Sequence, residues 1–391
     1  MKKFSAQYIF TNAGPPLKRG IITAGDDGVI LNVEDTGGDL KEQSSVEFHN
    51  GIIIPGFVNC HAHLELSHLK GRIPCGTGLS GFIGAIRELR DNDPAMIFSS
   101  ISAAEDEMLG EGVVLCADIC NTPATFFLKS AGRIKYVSLL EVFGIDPARA
   151  AKRMEELSVL AKSADEAGLV WWPVPHSAYS VSLTLFRLLR EKSKKNKVTS
   201  IHFMESAGEK SFLSGHGGPV MDSYVESGLA PLFFETVTTH TAAILEEVTP
   251  SGNLILVHNT HADADTVRTV NRRKNLYWCL CPNSNLYIEN KIPPLDILLA
   301  EGCTLVTGTD SSASNRRLSI LEELKTLQNR FPDIPLEEMI RWATINGARA
   351  LGEETLYGKI APGKKPGLLL IRETDLFTLK LLPESSIKRL L

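Results

Sequence analysis

Eight apolar runs recur along the middle of the chain, and stretches with a helical pattern lie between most of them. Each run is nearly continuous, as expected for parallel strands that are buried on both faces. Strands that alternate with helices in this number predict an α/β fold of the (β/α)8 TIM-barrel type. The runs are residues 51–59, 112–118, 134–141, 168–175, 197–203, 253–258, 275–281 and 302–308.

Both ends of the chain have a different character from the middle. Residues 1–50 contain short strand patterns separated by Gly-Pro-Pro, Asp-Asp-Gly and Gly-Gly-Asp, which are turn signals, and the residues after 357 resemble them. We therefore predict a small β-sandwich domain built from residues 1–55 and 356–391. The barrel would occupy residues 56–355.

Polar residues with chemical capability stand at or just past the carboxyl ends of the predicted strands. Because these ends converge on one mouth of a (β/α)8 barrel, residues far apart in sequence are expected to face one pocket. Chance placement of suitable residues at so many strand ends is a much weaker explanation. The residues are His61, His63, Asp118, Glu141, His176, His202, Glu205, His258 and Asp310.

The first strand ends in "VNCHAHLELSH", where His61 and His63 are two residues apart. On an extended backbone they point the same way, and two neutral imidazoles on one side form half of a zinc or ferrous iron site. A polar turn with incidental histidines is the alternative, and the pair alone does not decide between them.

Other strand ends supply further candidate ligands and proton carriers. "SIHFMES" provides His202 and, three residues later, Glu205, while "LVTGTDSS" provides Asp310. His258 and His176 occupy two more strand ends. Each has an ordinary structural alternative: a helix-terminal Glu, an Asp that caps the next helix, or a packed histidine.

Composition excludes several classes of function. The formal net charge is −5, and the single lysine-rich run at 190–197 is short, so a nucleic-acid surface is not expected. No apolar stretch approaches the length of a membrane span. Seven cysteines scattered among apolar runs are typical of reduced thiols, which predicts a cytoplasmic protein. The oligomeric state stays open, with a homodimer as one possibility.

Six motifs follow one another along the chain: "PGFVNCHAHLELS", "PHSAYSVS", "HFMES", "LVHNTH", "CPNSN" and "TGTDSSASN". In this order they resemble the amidohydrolase superfamily, in its deaminase and chlorohydrolase branch, over nearly the whole chain. The resemblance implies that His61, His63, His202 and Asp310 bind one divalent metal, zinc first and ferrous iron second. Members with two metals use a carboxylated lysine at the end of strand four. This chain has "WWPVPHSAY" there, without a lysine, which favours a single metal.

The same resemblance implies a hydrolytic deaminase that releases ammonia from an amino-substituted N-heterocycle through a metal-bound hydroxide. Asp310, helped by His258, would take the proton of the water. Glu205 would protonate the ring nitrogen, so burial should raise its pKa toward neutrality. His176 would contact the substrate near the metal.

The stretch "HLELSHLKG" followed by "GTGLSGFIGAIRELR" resembles the aminodeoxyfutalosine deaminase group, which acts on an adenine nucleoside. This resemblance implies a small purine nucleoside-like substrate. Surface ion pairs and core packing are the alternative roles of the residues that we expect near it. These candidate contacts are Glu65, Arg72, Phe82, Arg90 and Glu141.

Three other functions fit the same scaffold. One is a hydrolase that expels chloride or opens a cyclic amide, and a second is a deaminase of guanine, cytosine or S-adenosylhomocysteine type. A barrel that binds without catalysis is the third, but it predicts missing metal ligands, and all four are present. Ammonia release from a panel of aminopurines, pterins, cytosine and triazines would separate the first two from the purine nucleoside reaction.

Overall fold

The computed structural model describes residues 1–41, 45–229, 245, 248 and 252–391. Within this part the chain has an α/β fold whose centre is made of parallel strands. The strands are β1 (Lys2–Ile9), β2 (Leu17–Lys18), β3 (Ile21–Ala24), β4 (Ile30–Glu34), β5 (Val46–Pro55), β6 (Phe57–Ala62), β7 (Val113–Cys120), β8 (Lys135–Val142), β9 (Trp171–Pro175), β10 (Val198–Phe203), β11 (Asn253–His258), β12 (Leu276–Leu280), β13 (Leu305–Thr307), β14 (Leu368–Asp375) and β15 (Lys380–Arg389).

Helices connect most of the central strands. They are α1 (Gly78–Leu89), α2 (Pro94–Gly110), α3 (Phe126–Ser130), α4 (Ala150–Glu166), α5 (Leu183–Ser193), α6 (Ala207–Leu213), α7 (Pro219–Glu226), α8 (Ala264–Val270), α9 (Pro282–Glu289), α10 (Leu295–Ala300), α11 (Ile320–Arg330), α12 (Leu336–Arg341) and α13 (Gly347–Ala350). Among the described helices none combines the length and apolar character needed to span a membrane.

The central strands form two four-stranded parallel sheets, in the orders β6-β7-β8-β9 and β10-β11-β12-β13. All side chains of β6, β7 and β10 are buried, which confirms the expectation from their continuous apolar sequences. Single parallel bridges join the two sheets at both seams, Ala62 to Asp310 and Ser177 to His202. The ladder is therefore not continuous around the ring, but both seams bring strand ends with polar residues together.

Both termini contribute to one mixed sheet of seven described strands. β14 pairs with β5 and β15, and β5 pairs in parallel with β1. The expectation that the two ends of the chain share one β unit is confirmed. The sandwich form of this unit and the domain limits at 55 and 356 stay predictions.

The apolar run 51–59, which we expected to form one strand, is divided between two sheets. β5 belongs to the terminal sheet, β6 belongs to the central sheets, and Gly56 lies between them. A Cβ at Gly56 would lie 2.5 Å from Cγ1 of Val114 and 2.7 Å from the carbonyl oxygen of Pro366. The chain can pass from one sheet to the other here because glycine has no side chain.

Candidate active site

The chemically capable residues named above come from several strands that end at the same side of the molecule. His61 lies in β6, His202 in β10 and His258 at the end of β11, while Asp310 follows β13. The backbone of His258 and Asp310 is left-handed, with φ of 75° and 58°. Such conformations are unfavourable for residues with a side chain and are concentrated at functional sites. The two strands therefore end in unusual turns at the positions predicted to carry chemistry.

Three buried histidines form a cluster that suits a cation. Nε2 of His61 and Nε2 of His63 are 3.1 Å apart, and Oδ1 of Asp310 is 3.6 Å from each of them. Nitrogen atoms of His61, His63 and His202 lie within 4.8 Å of one another. Burial lowers the pKa of His63 and of His202 well below the usual value, which favours the neutral form that binds metals. Three imidazoles and one carboxylate form a typical donor set for zinc.

Neighbouring groups hold two of these donors in place. Nδ1 of His202 is 2.8 Å from the carbonyl oxygen of His176 and donates to it, which leaves Nε2 of His202 free for a metal. Oδ2 of Asp310 accepts hydrogen bonds from the hydroxyls of Ser284 at 2.6 Å and Ser314 at 2.7 Å. Oδ1 of Asp310 is thereby left to face His61 and His63. The predicted ligands are thus brought together, although their role as ligands stays a prediction.

Glu205 is buried beside the histidine cluster. The hydroxyl of Tyr179 donates to its Oε2 at 3.3 Å, and its Oε1 is 3.5 Å from Nε2 of His258. Burial, followed by the charge of Glu209, raises the pKa of Glu205 well above its usual value. This is the direction expected for a general acid, and that role of Glu205 stays a prediction.

Glu209 was not expected from the sequence, but it fixes the turn that carries Glu205. Its carboxylate accepts hydrogen bonds from the backbone nitrogen of Met204 at 3.2 Å and of Glu205 at 2.8 Å. Met204 has a left-handed φ of 48°, so the turn needs such support. Burial raises the pKa of Glu209 to about 7. The signal in the sequence is an acidic residue four positions after Glu205 in "HFMESAGE".

Two further motifs are explained by contacts that only the structure reveals. In "CPNSN", Ser284 bonds Asp310, and the side-chain amide nitrogen of Asn285 is 3.0 Å from Nδ1 of His258. In "TGTDSSASN", Ser314 bonds the same carboxylate. The sequence does not reveal the partners of Ser284 and Asn285, because their bonds link motifs that are 26 and 27 residues apart along the chain.

A cavity of about 390 Å³ opens from this cluster toward the surface. Its volume falls within the usual range for a small-molecule site. Helix α1 contributes one apolar face to its wall, which is typical of an amphipathic helix. Of the predicted substrate contacts, Phe82, Arg90, Glu141 and His176 line the cavity. The apolar residues of α1 that join Phe82 are Leu79, Ile83 and Ile86.

The structure does not bring Glu65 and Arg72 to the cavity wall. Oε1 of Glu65 binds Arg90 at 2.6 Å, and its Oε2 accepts from the backbone nitrogens of Asn121 and Thr122 and from the Thr122 hydroxyl. Arg72 is exposed and does not line the described cavity. Glu65 therefore organises the loop after β7 and the side chain of Arg90, and direct substrate contact by Glu65 or Arg72 has no support in this geometry.

Comparison with known proteins gives consistent matches. A family model described as "Amidohydrolase family" matches residues 52–384. An aminodeoxyfutalosine deaminase from a Nitratiruptor species is 26% identical over 331 residues, which cover 82% of this chain and 79% of the relative. A 5-methylthioadenosine/S-adenosylhomocysteine deaminase from Pyrococcus abyssi is 26% identical over 364 residues, covering 87% of this chain and 78% of that protein.

Among solved structures, the aminofutalosine deaminase of Helicobacter pylori in complex with methylthio-coformycin superposes with a TM-score of 0.81. It is 22% identical to this chain, and the match covers 100% of both chains. At this identity the likeness establishes a shared fold. The described sheets and the seams between them thus belong to an architecture that is already known.

Proposed function

The chain belongs to the amidohydrolase family, and we propose that it is a metal-dependent deaminase of an adenine nucleoside. The observation that carries the proposal is the buried Glu205, next to a cluster of three histidines and Asp310 that suits a cation. Relatives named as deaminases of aminodeoxyfutalosine and of 5-methylthioadenosine support the adenine nucleoside as substrate class. Aminodeoxyfutalosine itself is the most specific substrate that we propose.

His61, His63, His202 and Asp310 would hold one divalent cation, with zinc as the first choice and ferrous iron as the second. When bound, such an ion lowers the pKa of a water molecule and stabilises negative charge that develops during attack. The fit rests on the converging nitrogen atoms of His61 and His63, which are 3.1 Å apart in a buried site. Imidazole nitrogens that converge at this distance form a donor pair that a cation would bridge.

The remaining residues move protons. Oδ1 of Asp310, assisted by His258, accepts a proton from the attacking water, which adds to the ring carbon that bears the amino group. Glu205 donates its proton to the adjacent ring nitrogen, so the ring does not accumulate charge. Asp310 then passes its proton to the amino group, the carbon–nitrogen bond breaks and ammonia leaves, and the proton of the added hydroxyl returns to Glu205, which gives the 6-oxo product. Water supplies the oxygen of the product.

Ammonia release by the metal-loaded protein tests this function. We expect turnover of aminodeoxyfutalosine, adenosine, 5′-deoxyadenosine or 5′-methylthioadenosine, and no comparable turnover of guanine, cytosine or a chlorotriazine. A protein that retains bound metal but acts only on the second group of compounds would refute the adenine nucleoside as substrate. The same assay without metal reports background hydrolysis.

A further inference from the structure

Glu141, at the end of β8, carries a carboxylate oxygen that nothing in the described chain satisfies. The side chain is 2% exposed and lines the active-site cavity. Its Oε2 accepts a hydrogen bond from the side-chain nitrogen of Asn121 at 3.0 Å. Its Oε1 has no hydrogen-bond partner among the described residues. Leaving a buried acceptor unpaired costs about 1–3 kcal/mol, so a ligand that supplies a donor would recover this cost.

Two basic side chains near Glu141, His202 and Arg90, have other partners. Nδ1 of His202 is 3.6 Å from Oε1 of Glu141, but its hydrogen is directed to the carbonyl oxygen of His176 at 2.8 Å. Arg90, which also lines the cavity, binds Glu65 at 2.6 Å. Neither group is placed to complete the bonding of Oε1.

A second cation between Glu141, His176 and His202 is a poor alternative, although these residues lie close enough to form a cluster. His202 uses its Nδ1 hydrogen for the His176 carbonyl, which leaves only Nε2 for a cation, and we assign that nitrogen to the proposed site with His61 and His63. The cluster therefore offers a new cation only two ligands, fewer than the three or four that protein zinc sites supply.

We infer that Oε1 of Glu141 accepts a hydrogen bond from a ribose hydroxyl of the nucleoside substrate. The inference rests on the proposed function, because an adenine nucleoside has only two kinds of donor: the amino group that reacts and the hydroxyls of its sugar. The amino group must lie beside Glu205 and Asp310 to be hydrolysed. Glu141 lies on the Nδ1 side of His202, whereas the Nε2 side faces the proposed metal site. The sugar is therefore the part of the substrate that reaches Glu141.

A relay of hydrogen bonds holds this acceptor in a fixed position. Asn121 donates its side-chain amide to Glu141, and its backbone nitrogen donates to Oε2 of Glu65 at 3.0 Å. Glu65 also binds Arg90. Glu65, the acidic residue that follows the His-x-His pair, thus acts on the substrate indirectly. It is a positioning residue for Glu141. A preorganised acceptor discriminates strongly, because an analogue without the donor leaves it unpaired.

The test is Glu141→Gln, assayed for kcat/KM with adenosine and 5′-methylthioadenosine and with the 2′-deoxy and 3′-deoxy analogue of each. Asn121 would keep its bond to the amide oxygen of the glutamine, so the amide nitrogen would face the sugar, and the hydroxyl would exchange a charge-assisted bond to a carboxylate for a weaker neutral bond from the amide. For the wild type, loss of the contacted hydroxyl should lower kcat/KM roughly 10- to 100-fold. The variant should lose a similar factor with the parent nucleosides and lose little more with the deoxy analogue.

Glu155→Gln on α4 provides the matched control, because it removes the same charge from an exposed residue away from the cavity. It should keep the wild-type values, and metal content should be equal in all three proteins. The inference would be overturned if the loss in kcat/KM from Glu141→Gln and the loss from removing the hydroxyl simply multiplied. It would also be overturned if the wild type had the same kcat/KM with and without either hydroxyl. Both outcomes would leave the proposed function intact. A metal-loaded wild type that deaminates none of the nucleosides would overturn both.

Discussion

At the scale of single residues, Glu205 is the group whose chemistry depends most on its surroundings. An exposed glutamate is ionised at neutral pH, but burial raises the pKa of Glu205 well above its usual value. Tyr179 and His258 contact its two oxygens, so the acid is held in one orientation. The raised pKa and the fixed orientation are what the proposed role of proton donor requires, and an exposed carboxyl would have neither.

Glu205→Gln should abolish most turnover and leave metal binding intact. Glutamine keeps the size of the side chain and can still accept from Tyr179, but it has no proton to transfer. We expect kcat to fall roughly 10²- to 10⁴-fold, with unchanged metal content by elemental analysis. The surface variant Glu155→Gln serves again as the control for charge. A near-normal rate with bound metal would show that another group supplies the proton.

At the scale of elements, the apolar runs predicted the central strands well, because burial on both faces leaves a clear signal in sequence. The run 51–59 is the instructive exception. It contains the end of β5 and the start of β6, which lie in different sheets, and its hydrophobicity is continuous across the junction. The pair Pro55-Gly56 marks the change of sheet, and this turn signal is outweighed by the apolar residues on both sides of it.

Gly56→Ala should destabilise the protein, because the new methyl group would lie 2.5 Å from Val114 and 2.7 Å from the Pro366 carbonyl oxygen. Overpacking of this kind costs roughly 1–3 kcal/mol, and backbone on one side limits relaxation. Chemical denaturation should report a lower free energy of unfolding. Gly110→Ala at the end of α2 is the control, since a Cβ there meets nothing within 4 Å. Equal effects of the two substitutions would contradict the role assigned to Gly56.

At the scale of the whole molecule, the sequence predicted which strand ends carry chemistry but not how the supporting bonds connect them. His61, His202 and Asp310 follow the general rule that strand ends of a parallel barrel meet at one mouth. The bond of Ser284 to Asp310 depends on the side-chain orientations of a residue in α9 and a residue just after β13, which no periodicity encodes. The same limit explains Glu65, whose place beside the metal pair suggested substrate contact, whereas its carboxylate binds Arg90 and the loop after β7.

The proposed metal ligands come from both four-stranded sheets, so metal binding should stabilise the molecule as a whole. His61 lies in the first sheet and His202 in the second, and the backbone ladder at each seam is reduced to one bridge, Ala62–Asp310 and Ser177–His202, with a few side-chain hydrogen bonds such as that of Asn59 to Thr309. A cation bound by ligands from both sheets would therefore hold the two sheets together at the carboxyl ends of their strands. A ligand that binds only the folded state stabilises it by about 4 kcal/mol at 1,000 times its Kd.

Removal of metal with a chelator should accordingly lower Tm at a fixed scan rate, and returning zinc should restore it. Faster hydrogen exchange at the two seams should accompany the loss, since the ion would no longer link His61 of the first sheet to His202 of the second. His61→Ala is the matched control, because losing one of the proposed ligands should make Tm insensitive to zinc and to the chelator. If zinc raised the Tm of this variant as much as that of the wild type, the stabilising ion would bind elsewhere. The proposed link between the two sheets would then be refuted.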